Sequence, residues 1–536
     1  MRRPLFFGTN RGAGNPARGP LCGAANPGRG PLWGRLLGGQ GRLKAVHNAG
    51  RFALLAGALL VSSACMVGPN YKRPAAPQTP AFKEPPPEGW KEAQPNDGAI
   101  KGKWWEIYND PQLNALEEQV SISNQNVLAA EANFRAARYA VGIARAGLYP
   151  TVSVGPTVGV GQSSSSTVGN GHAPVAALFD LSATPSWTAD IWGSVRRGVR
   201  ASEATAQADF ALLENARLSY QSELAEDYFE LHGTDGDIDL LDRTTKSYEE
   251  YLTLTQNRYK AGVASGGDVA LAQTQLDTTR AQLIDLGVAR AQYEHAIAVL
   301  TGADPSSFSI PVKALSAIPP PVPIGVPSQL LERRPDIAGS ERVMAAANAQ
   351  IGVATAAFYP NLTLTTDGGL ESAAFKHLFD ISSRFWSLGG SASESIFDAG
   401  LRRATVMQYE AIYNGDVDSY RQTVLSAFQQ VEDALAAERI LSQQVQQQEQ
   451  AEKSAQQVVD LETARYETGV DPYIDVVTAK ATLLADEQTL ATLHTQAMTA
   501  SVQLIEALGG GWDSTQLPTP QQVTTKIAPA ESAIQR

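Results

Sequence analysis

The chain has 536 residues, of which 43% are apolar and 18% are charged, and it contains only two cysteines. A chain of this length can bury a large core, and its composition excludes collagen, a disulfide scaffold and a wholly disordered protein. The longest apolar run, Phe52 to Val61, has ten residues, whereas a membrane-spanning helix needs about 20. The formal net charge is −12, although residues 1–64 carry nine basic residues and no acidic one. The acidic main body therefore argues against a nucleic-acid-binding protein.

A secretory signal precedes the main body. Lys44 and Arg51 lie before the apolar run, and Ser62-Ser63-Ala64-Cys65 follows it. A basic stretch, a short apolar stretch and small residues are typical of such a signal. The cysteine after the small residues resembles a lipoprotein signal, so we predict that the thiol of Cys65 is acylated, although Ser62 stands where Leu or Val is usual. The alternative is ordinary cleavage nearby, which would leave a free thiol.

The segments on either side of this signal differ in composition. Residues 1–45 are rich in Gly, Arg and Pro, which favours a translation start near Val46. Residues 66–98 contain eight prolines, and such a stretch is extended. We therefore expect residues 65–103 to form a tether that leads away from the lipid anchor.

The main body contains one unit twice. Three pairs of segments match at offsets of 207, 210 and 206: Arg258-Tyr259-x-x-Gly262-Val263 with Arg465-Tyr466-x-x-Gly469-Val470, Tyr149-Pro150 with Tyr359-Pro360, and Arg196-Arg197 with Arg402-Arg403. Copies of about 200 residues are too long for a solenoid repeat. We therefore interpret them as a duplicated, domain-sized element.

Both copies predict the same elements in the same order. A first helix is expected over about 125–148 and again over 336–358, each ending before a proline, because the residue before proline avoids the α region. Alternation of polar and apolar residues then predicts strands at 151–160 and 181–192, joined by a loop over Gln162–Ala177. The second copy shows the same alternation at Leu362, Leu364, Trp386, Leu388, Ala392 and Ile396.

Long tracts without proline follow the strands in both copies. In the first tract, apolar residues recur every three, four or seven positions: Leu213, Tyr220, Leu224, Tyr228, Leu231, Ile238, Leu241, Tyr248, Leu252 and Tyr259. This spacing is typical of a coiled-coil helix. We predict a helix from about 194 to 260, a turn at Gly262 or at Gly266-Gly267, and a return helix to about Leu300. The second copy is expected to turn at Gly469-Val470-Asp471-Pro472 and to return to about Leu508.

Four strands of this kind cannot enclose a pore alone. They have about the length that a tilted transmembrane strand needs, and an open sheet edge in hydrocarbon would leave backbone groups unpaired. The smallest familiar membrane barrels have about eight strands. Closure therefore requires several copies, and three would supply twelve strands. The alternative is a soluble four-stranded sheet packed on helices.

The sequence also resembles a known family, the TolC-type outer membrane factors, in the NodT-like lipoprotein branch associated with resistance-nodulation-division (RND) efflux systems. The segments that carry the resemblance are Cys65 to Pro74, Trp104 to Leu116, Leu330 to Ile337, Ala349 to Pro360 and the two Arg-Tyr-x-x-Gly-Val motifs. The resemblance implies a mostly helical homotrimer, in which a twelve-stranded outer membrane β-barrel continues as a twelve-helix periplasmic tunnel. It implies a lipid-anchored, passive exit duct that exports drugs or other small toxic compounds, with a periplasmic adaptor and an inner-membrane RND pump as partners.

The resemblance implies residue roles at the tips of the helical hairpins. The residues that match the adaptor-binding motif are Arg258, Gly262, Val263, Arg465, Gly469 and Val470. The residues at positions that constrict the closed entrance are Asp268, Tyr466, Asp471 and Asp475. Asp471 replaces a basic residue of the best-known members, which favours a ring of acidic side chains as the gate. The alternatives are that the motifs only build tight turns and that the aspartates only cap helices.

Together these patterns divide the chain into six segments. They are an N-terminal extension and signal (1–64), the tether (65–103), a first repeat (104–303), a proline-rich linker (304–329), a second repeat (330–510) and a C-terminal tail (511–536).

Catalytic and metal-binding motifs are absent from the sequence, so we predict neither an enzyme nor a cofactor or a metal. Asp235, Asp237 and Asp239 imitate the start of a calcium loop, but Leu240 and Lys246 stand where such a loop needs Gly and Glu. We interpret the three aspartates as a solvated helical face. The competing functional interpretations are a periplasmic coiled-coil adaptor lipoprotein and a secreted hydrolase.

Overall fold

The protein is represented by a computed structural model that describes residues 66–77, 79, 81–84, 102–162, 175–315, 319–322 and 330–524. The predicted signal, Cys65 and most of the proline-rich tether lie outside the described residues. All described residues belong to one unit of the chain.

Long helices dominate the described residues, and four strands accompany them. The helices are α1 (Pro111–Ser123), α2 (Gln125–Ala146), α3 (Ser194–Lys260), α4 (Gly266–Leu300), α5 (Pro335–Ala356), α6 (Leu401–Glu467) and α7 (Tyr473–Ala507). The strands are β1 (Thr151–Gln162), β2 (Val175–Ala189), β3 (Asn361–Ser372) and β4 (Arg384–Ser393). Short helical turns lie at Trp104–Tyr108, Leu330–Arg333, Phe375–His377, Ile381–Ser383, Ser514–Gln516 and Pro520–Val523.

The elements repeat with the predicted duplication. The helices α2 and α5 have 22 residues each and are offset by 210, as are β1 and β3 with 12 residues each. The helices α3 and α6 have 67 residues each, α4 and α7 have 35 each, and both pairs are offset by 207. The match of Arg196 with Arg402 at 206 is therefore one residue away from the helical alignment. Each of these arginines nevertheless forms an ion pair with an aspartate that precedes its helix.

The strand boundaries correct the sequence prediction in three places. Gln162 belongs to β1 and Val175–Ala177 belong to β2, so the predicted loop is too long by these four residues. The second strand ends at Ala189 and not at residue 192, because the carboxylate of Asp190 accepts hydrogen bonds from the first backbone amides of α3. The fourth strand ends at Ser393, so Ile396 lies in the turn that leads into α6, where Ala399 and Gly400 have positive φ.

The four strands form one antiparallel sheet in the order β1-β2-β3-β4. The register Leu181↔Leu370 and Ala183↔Val154 brings apolar residues of neighbouring strands to the same face. That face contains Val152, Val154, Val158, Val160, Phe179, Leu181, Trp187, Leu362, Leu364, Leu370, Trp386 and Leu388. The other face contains Thr151, Ser153, Thr157, Asp180, Ser182, Thr184, Thr363, Thr365, Asp367, Glu371, Ser387 and Ser391. The sheet is thus amphipathic with period two.

The predicted coiled-coil seam of α3 is buried along most of its length. Leu213, Leu224, Tyr228, Leu231, Leu241, Tyr248 and Leu252 are buried. Tyr259, the last residue of the predicted seam, is 53% exposed. The largest apolar cluster surrounds the middle of α3, where Trp104, Leu113 and Val502 join Leu224 and Tyr228.

Candidate functional site: the helical hairpin tips

The first hairpin reverses through a tight glycine turn between α3 and α4. The amide of Val263 donates to the carbonyl of Arg258 (2.8 Å), and the amide of Gly262 donates to that of Tyr259 (2.9 Å). Gly262 has φ +75°, a left-handed conformation that glycine adopts without steric cost. This pair of bonds is the Schellman motif, which satisfies the last carbonyl groups of a helix.

The second hairpin uses the same backbone geometry. The amide of Val470 donates to the carbonyl of Arg465 (2.9 Å), the amide of Gly469 donates to that of Tyr466 (3.0 Å), and Gly469 has φ +80°. The valines after the two glycines are 67% and 68% exposed. Each tip therefore presents a valine side chain to solvent.

The return helices begin differently. The helix α4 starts with a capping box, in which Asp268 accepts from the amide of Ser265 (2.8 Å) and the Ser265 hydroxyl accepts from the amide of Asp268 (3.1 Å). The capping role considered for the aspartates is thus present at Asp268. The helix α7 starts after Pro472 without a side-chain cap.

The second tip carries a carboxylate cluster. Oxygens of Glu462, Asp471 and Asp475 all lie within 4.8 Å of one another. Arg465 forms an ion pair with Asp471, and its Nη2 donates to Oδ1 at 3.1 Å. Partial desolvation and the neighbouring Asp471 raise the pKa of Glu462. Glu462 is not recognisable from the sequence, because it precedes the motif and only the helical turn brings it beside Asp471.

One arginine joins the two tips. The guanidinium of Arg258 lies 4.4 Å from the ring centroid of Tyr466, and its Nη1 donates to the Tyr466 carbonyl at 3.2 Å. Tyr466 is buried, and its ring lies 5.3 Å from that of Tyr473. The two Arg-Tyr motifs thus have different environments, since Arg258 holds the other hairpin and Arg465 holds its own turn.

The structure brings the predicted gate residues to one end of the hairpins but not to a common surface. Tyr466 lies in an apolar cluster between the hairpins that also contains Tyr248, Leu252, Ala272, Leu276, Tyr473, Val476 and Val477. Asp471 and Asp475 lie together at the second tip, whereas Asp268 caps the first return helix.

A lysine lies between the hairpins just above this cluster. Lys480 of α7 donates to the Ser247 hydroxyl of α3 at 2.8 Å, and its Nζ lies 3.6 Å from the ring centroid of Tyr251. Burial lowers the pKa of Lys480 to about 8. The sequence carries no signal for this contact, because neither residue belongs to a motif.

The interpretation of Asp235 as part of a solvated face is wrong. Asp235 is 1% exposed and accepts from Arg290 Nε of α4 at 2.7 Å and from the Lys313 amide at 3.0 Å. Its Oδ2 also lies 3.2 Å from Nδ1 of His232. These bonds fix residues 310–315 to the middle of the first hairpin, because Arg290 also donates to the Ile310 carbonyl. Asp237 is half-buried, whereas Asp239 is exposed.

The described part of the tether runs along both repeats. The amide of Val67 donates to the Trp192 carbonyl at 3.1 Å, and Arg197 donates to the carbonyls of Val67 and Gly68. Gly68 approaches α5 so closely that a Cβ there would lie 2.5 Å from the Cα of Gly352. Further along, the backbone amides of residues 83 and 84 donate to Glu432 of α6. The tether therefore begins where the sheet meets the helices and continues along the second hairpin.

None of the helices that the structure describes has an apolar stretch long enough to cross a membrane. A sequence profile of the outer membrane efflux protein family matches residues 116–303 and 326–510. The chain therefore belongs to this family, as its motifs predicted.

Individual relatives agree with this assignment. The probable efflux pump outer membrane protein TtgC of Pseudomonas putida is 28% identical over 461 residues, which cover 85% of this chain and 95% of TtgC. Outer membrane protein OprJ of Pseudomonas aeruginosa is 31% identical over 464 residues, which cover 85% of this chain and 94% of OprJ. The solved structure of the outer-membrane channel OprN has a TM-score of 0.77 at 28% identity and covers 84% of this chain and 100% of its own. The predicted outer membrane efflux channel is confirmed, and the alternative of a periplasmic adaptor is not supported.

Proposed function

We propose that this chain forms the outer membrane exit duct of a tripartite efflux system, as a homotrimer with a twelve-stranded barrel and a twelve-helix periplasmic tunnel. The observation that carries the proposal is the amphipathic four-stranded sheet joined to two long helical hairpins. On this view the duct is passive, and an inner-membrane RND pump supplies the energy through a periplasmic adaptor. The proposal includes the division of the chain into tether, two repeats, linker and tail that the sequence predicts.

The sheet supports a lipid-facing and a lumen-facing side. Val152, Val160 and Leu388 on the apolar face are 64%, 73% and 74% exposed in the single chain. Hydrocarbon would cover them at a gain of about 25 cal/mol per Å². The opposite face is rich in Thr, Ser and Gly, which suits a water-filled lumen. The outer edges of β1 and β4 need partners in lipid, and further copies of the chain supply them.

Gel migration of the mature chain tests this assembly. We expect it in the outer membrane fraction, extractable only with detergent, and migrating as a trimer that heat converts to monomers. Val154→Asp places a charge on the apolar face and should reduce insertion, whereas the matched variant Ser153→Asp, opposite Thr184 on the polar face, should insert. A monomer that stays soluble without detergent would contradict the proposal.

We also propose that Cys65 is acylated and anchors the chain to the inner leaflet of the outer membrane. The support is the position of its neighbour Met66, whose Cγ would lie 2.5 Å from a Cβ placed on Gly193 at the junction between β2 and α3. That junction is the level at which the barrel would leave the membrane. Palmitate should label the parent chain and not Cys65→Ser, and an unlabelled parent chain would refute the anchor.

The exposed valines and glycine turns at the two tips are proposed as the adaptor-binding surface. Val263→Asp and Val470→Asp should each weaken adaptor capture in detergent, because a charge replaces the apolar side chain that the tip presents. Ile381→Asp is the control, since Ile381 is also exposed (78%) but lies in the turn between β3 and β4, away from the tips. Equal capture by all three variants would exclude the tips.

The carboxylate cluster at the second tip is proposed as part of the closed entrance. Threefold symmetry would gather Glu462, Asp471 and Asp475 of each copy around one axis, where like charges repel and favour cations. Conductance of Asp471→Asn and Asp475→Asn pores tests this proposal. We expect higher closed-state leak and weaker cation preference, and unchanged values would defeat it.

The exported compounds are proposed to be drugs or other small toxic molecules. Deletion of the gene, followed by a scan of drug, dye and metal susceptibility, should reveal at least one class with increased sensitivity. Complementation by the intact gene is the control.

A further inference from the structure

The two repeats contact each other along an interface inside the chain, which we call the repeat seam. Elements equivalent to those that form this seam also occur on the outer sides of the chain, where no second repeat covers them. The helix α3 of the first repeat packs against α5 and α7 of the second, and β2 pairs with β3. The elements equivalent to these partners are α6, α2, α4, β4 and β1. In the part of the chain that the structure describes, β4 and β1 are the two sheet edges.

The offsets of the duplication transfer individual contacts. Within the first repeat, Asn124 Nδ2 donates to the carbonyl of Leu300 at 2.9 Å. Within the second repeat, Arg334 Nη1 donates to the carbonyl of Ala507 at 2.9 Å. Asn124 and Arg334 differ by 210, and the two acceptors differ by 207. A contact seen in one place thus predicts its equivalent in another.

The part of the seam nearer the sheet gives one such prediction. A Cβ on Gly339 of α5 would lie 3.4 Å from the Cβ of Ala211 of α3, and both residues are buried. Their equivalents are Ala129 of α2 and Asp418 of α6. Both equivalents are exposed, the Asp418 side chain by 77%.

The part of the seam nearer the hairpin tips gives two more predictions. A Cβ on Gly233 of α3 would lie 2.2 Å from Thr495 Oγ1 of α7, and the equivalents Ile440 and Val288 are 45% and 58% exposed apolar residues. At the tips Arg258 lies on Tyr466. The equivalents are Arg465, whose side chain is 56% exposed, and Tyr259, which is 53% exposed.

We infer that these exposed residues form the seam between neighbouring copies of this chain, with α6 of one copy on α2 and α4 of the next. Asp418 meets Ala129 of the neighbouring copy, and the guanidinium of Arg465 lies on the ring of its Tyr259. Ile440 faces the neighbour's Val288, where the two larger side chains hold α6 farther from α4 than α3 lies from α7. A planar guanidinium can stack on a ring while its edge stays bonded to a carboxylate, so the ion pair with Asp471 is retained. This inference rests on the proposed oligomer and specifies which residues hold it together.

Disulfide trapping tests the seam in the full-length chain in outer membranes. The internal Cβ separation at Ala211 and Gly339 is close to the roughly 3.5–4.5 Å of a disulfide, so the variant with Ala129→Cys and Asp418→Cys should give covalent dimers and trimers on non-reducing gels. The control with Ala140→Cys and Asp418→Cys moves one thiol about 16 Å along α2 and should stay monomeric after heating. The parent chain controls for its native cysteines.

The outcomes separate the seam from the proposed function. Heat-dissociable trimers of the double-cysteine variant without covalent bands overturn the seam and leave the channel proposal standing. A parent chain that forms no trimer overturns both. If the variant with Ala129→Cys and Asp418→Cys forms no trimer, the variant with Val288→Cys and Ile440→Cys is tested instead. Its covalent bands support the seam, and trimers without such bands overturn it.

A second measurement addresses the tips. Tyr259→Leu removes the ring face and should lower the temperature at which trimers dissociate, whereas Tyr259→Phe keeps the face and should not. Equal dissociation temperatures for the two variants would overturn the contact between Arg465 and Tyr259.

Discussion

The helices α3 and α6 are equivalent in the duplication and equal in length, yet their surroundings differ. Twenty-seven residues of α3 are buried, against eleven of α6. The helix α3 packs against helices of both repeats, whereas α6 packs mainly against α5 and α7. The two helices thus have the same backbone, but their side chains suit different neighbours. Substitutions at equivalent positions of the two helices test this difference.

The largest effect is expected at Asp235 of α3, whose equivalent in α6 is the exposed Ser442. Asp235→Ala leaves Arg290 without its buried partner and should lower the free energy of unfolding by about 3–5 kcal/mol. Ser442→Ala should change it by less than about 0.5 kcal/mol. Thermal unfolding in detergent measures both, and similar effects at the two sites would refute the contrast.

The next effect concerns Gly233 and its equivalent Ile440. Gly233→Ile drives a side chain into Thr495, where even a Cβ is too close, and should destabilise the fold by about 3 kcal/mol. Exchanging Ile440 for Gly should cost only about 1 kcal/mol of helix propensity before assembly. A stable Gly233→Ile chain would show that α3 and α7 can separate.

A pH-dependent effect of about 2 kcal/mol is expected at Glu438 of α6, where the equivalent residue of α3 is the fully buried Leu231. Burial raises the pKa of Glu438 from 4.5 to about 7. The folded state therefore binds the Glu438 proton more tightly than the unfolded state does. The stabilisation that this proton binding provides is lost as the pH rises from about 4.5 through 7. Glu438→Gln should remove this loss, so the variant should be more stable than the parent at pH 8 and equal to it at pH 4.5. Parallel unfolding curves for both chains would contradict the assignment.

The smallest effect should be the same in both repeats. Gly262→Ala and Gly469→Ala each force a side chain into a left-handed conformation at a cost of about 1–2 kcal/mol. Gly198→Ala is the control, because this glycine has open space around it within α3 and alanine should stabilise the helix by about 0.5–1 kcal/mol. Unequal costs at the two tips would show that side chains, and not the shared turn, set their stability.

Much of the fold was predictable from local patterns. The missing prolines and the apolar spacing predicted α3 and α4 to within a residue or so of their observed ends, and the glycines marked both tips. The strand ends were less accurate, because β2 extends to Val175 through pairing with β1 and ends where Asp190 caps a helix. Neither partner is evident from alternation alone.

The candidate site was predictable only as a location. The two Arg-Tyr-x-x-Gly-Val motifs indicated the tips, but not that Arg258 would lie on Tyr466 while Arg465 binds Asp471. Glu462, Lys480 and Asp235 carried no recognisable signal, since their partners lie on other helices or one turn away.

The duplication is visible directly in the amino-acid sequence. The long helices, the glycine turns and the amphipathic strands follow from local patterns, because periodicity and backbone preference act over a few neighbouring residues. Which equivalent side chains are buried and which charges are paired depends on the packing of separate helices, as at Asp235 with Arg290 and at Ser247 with Lys480, and local patterns do not contain this information. For this reason each of the two similar repeats has one side that the other repeat covers and one side that remains open.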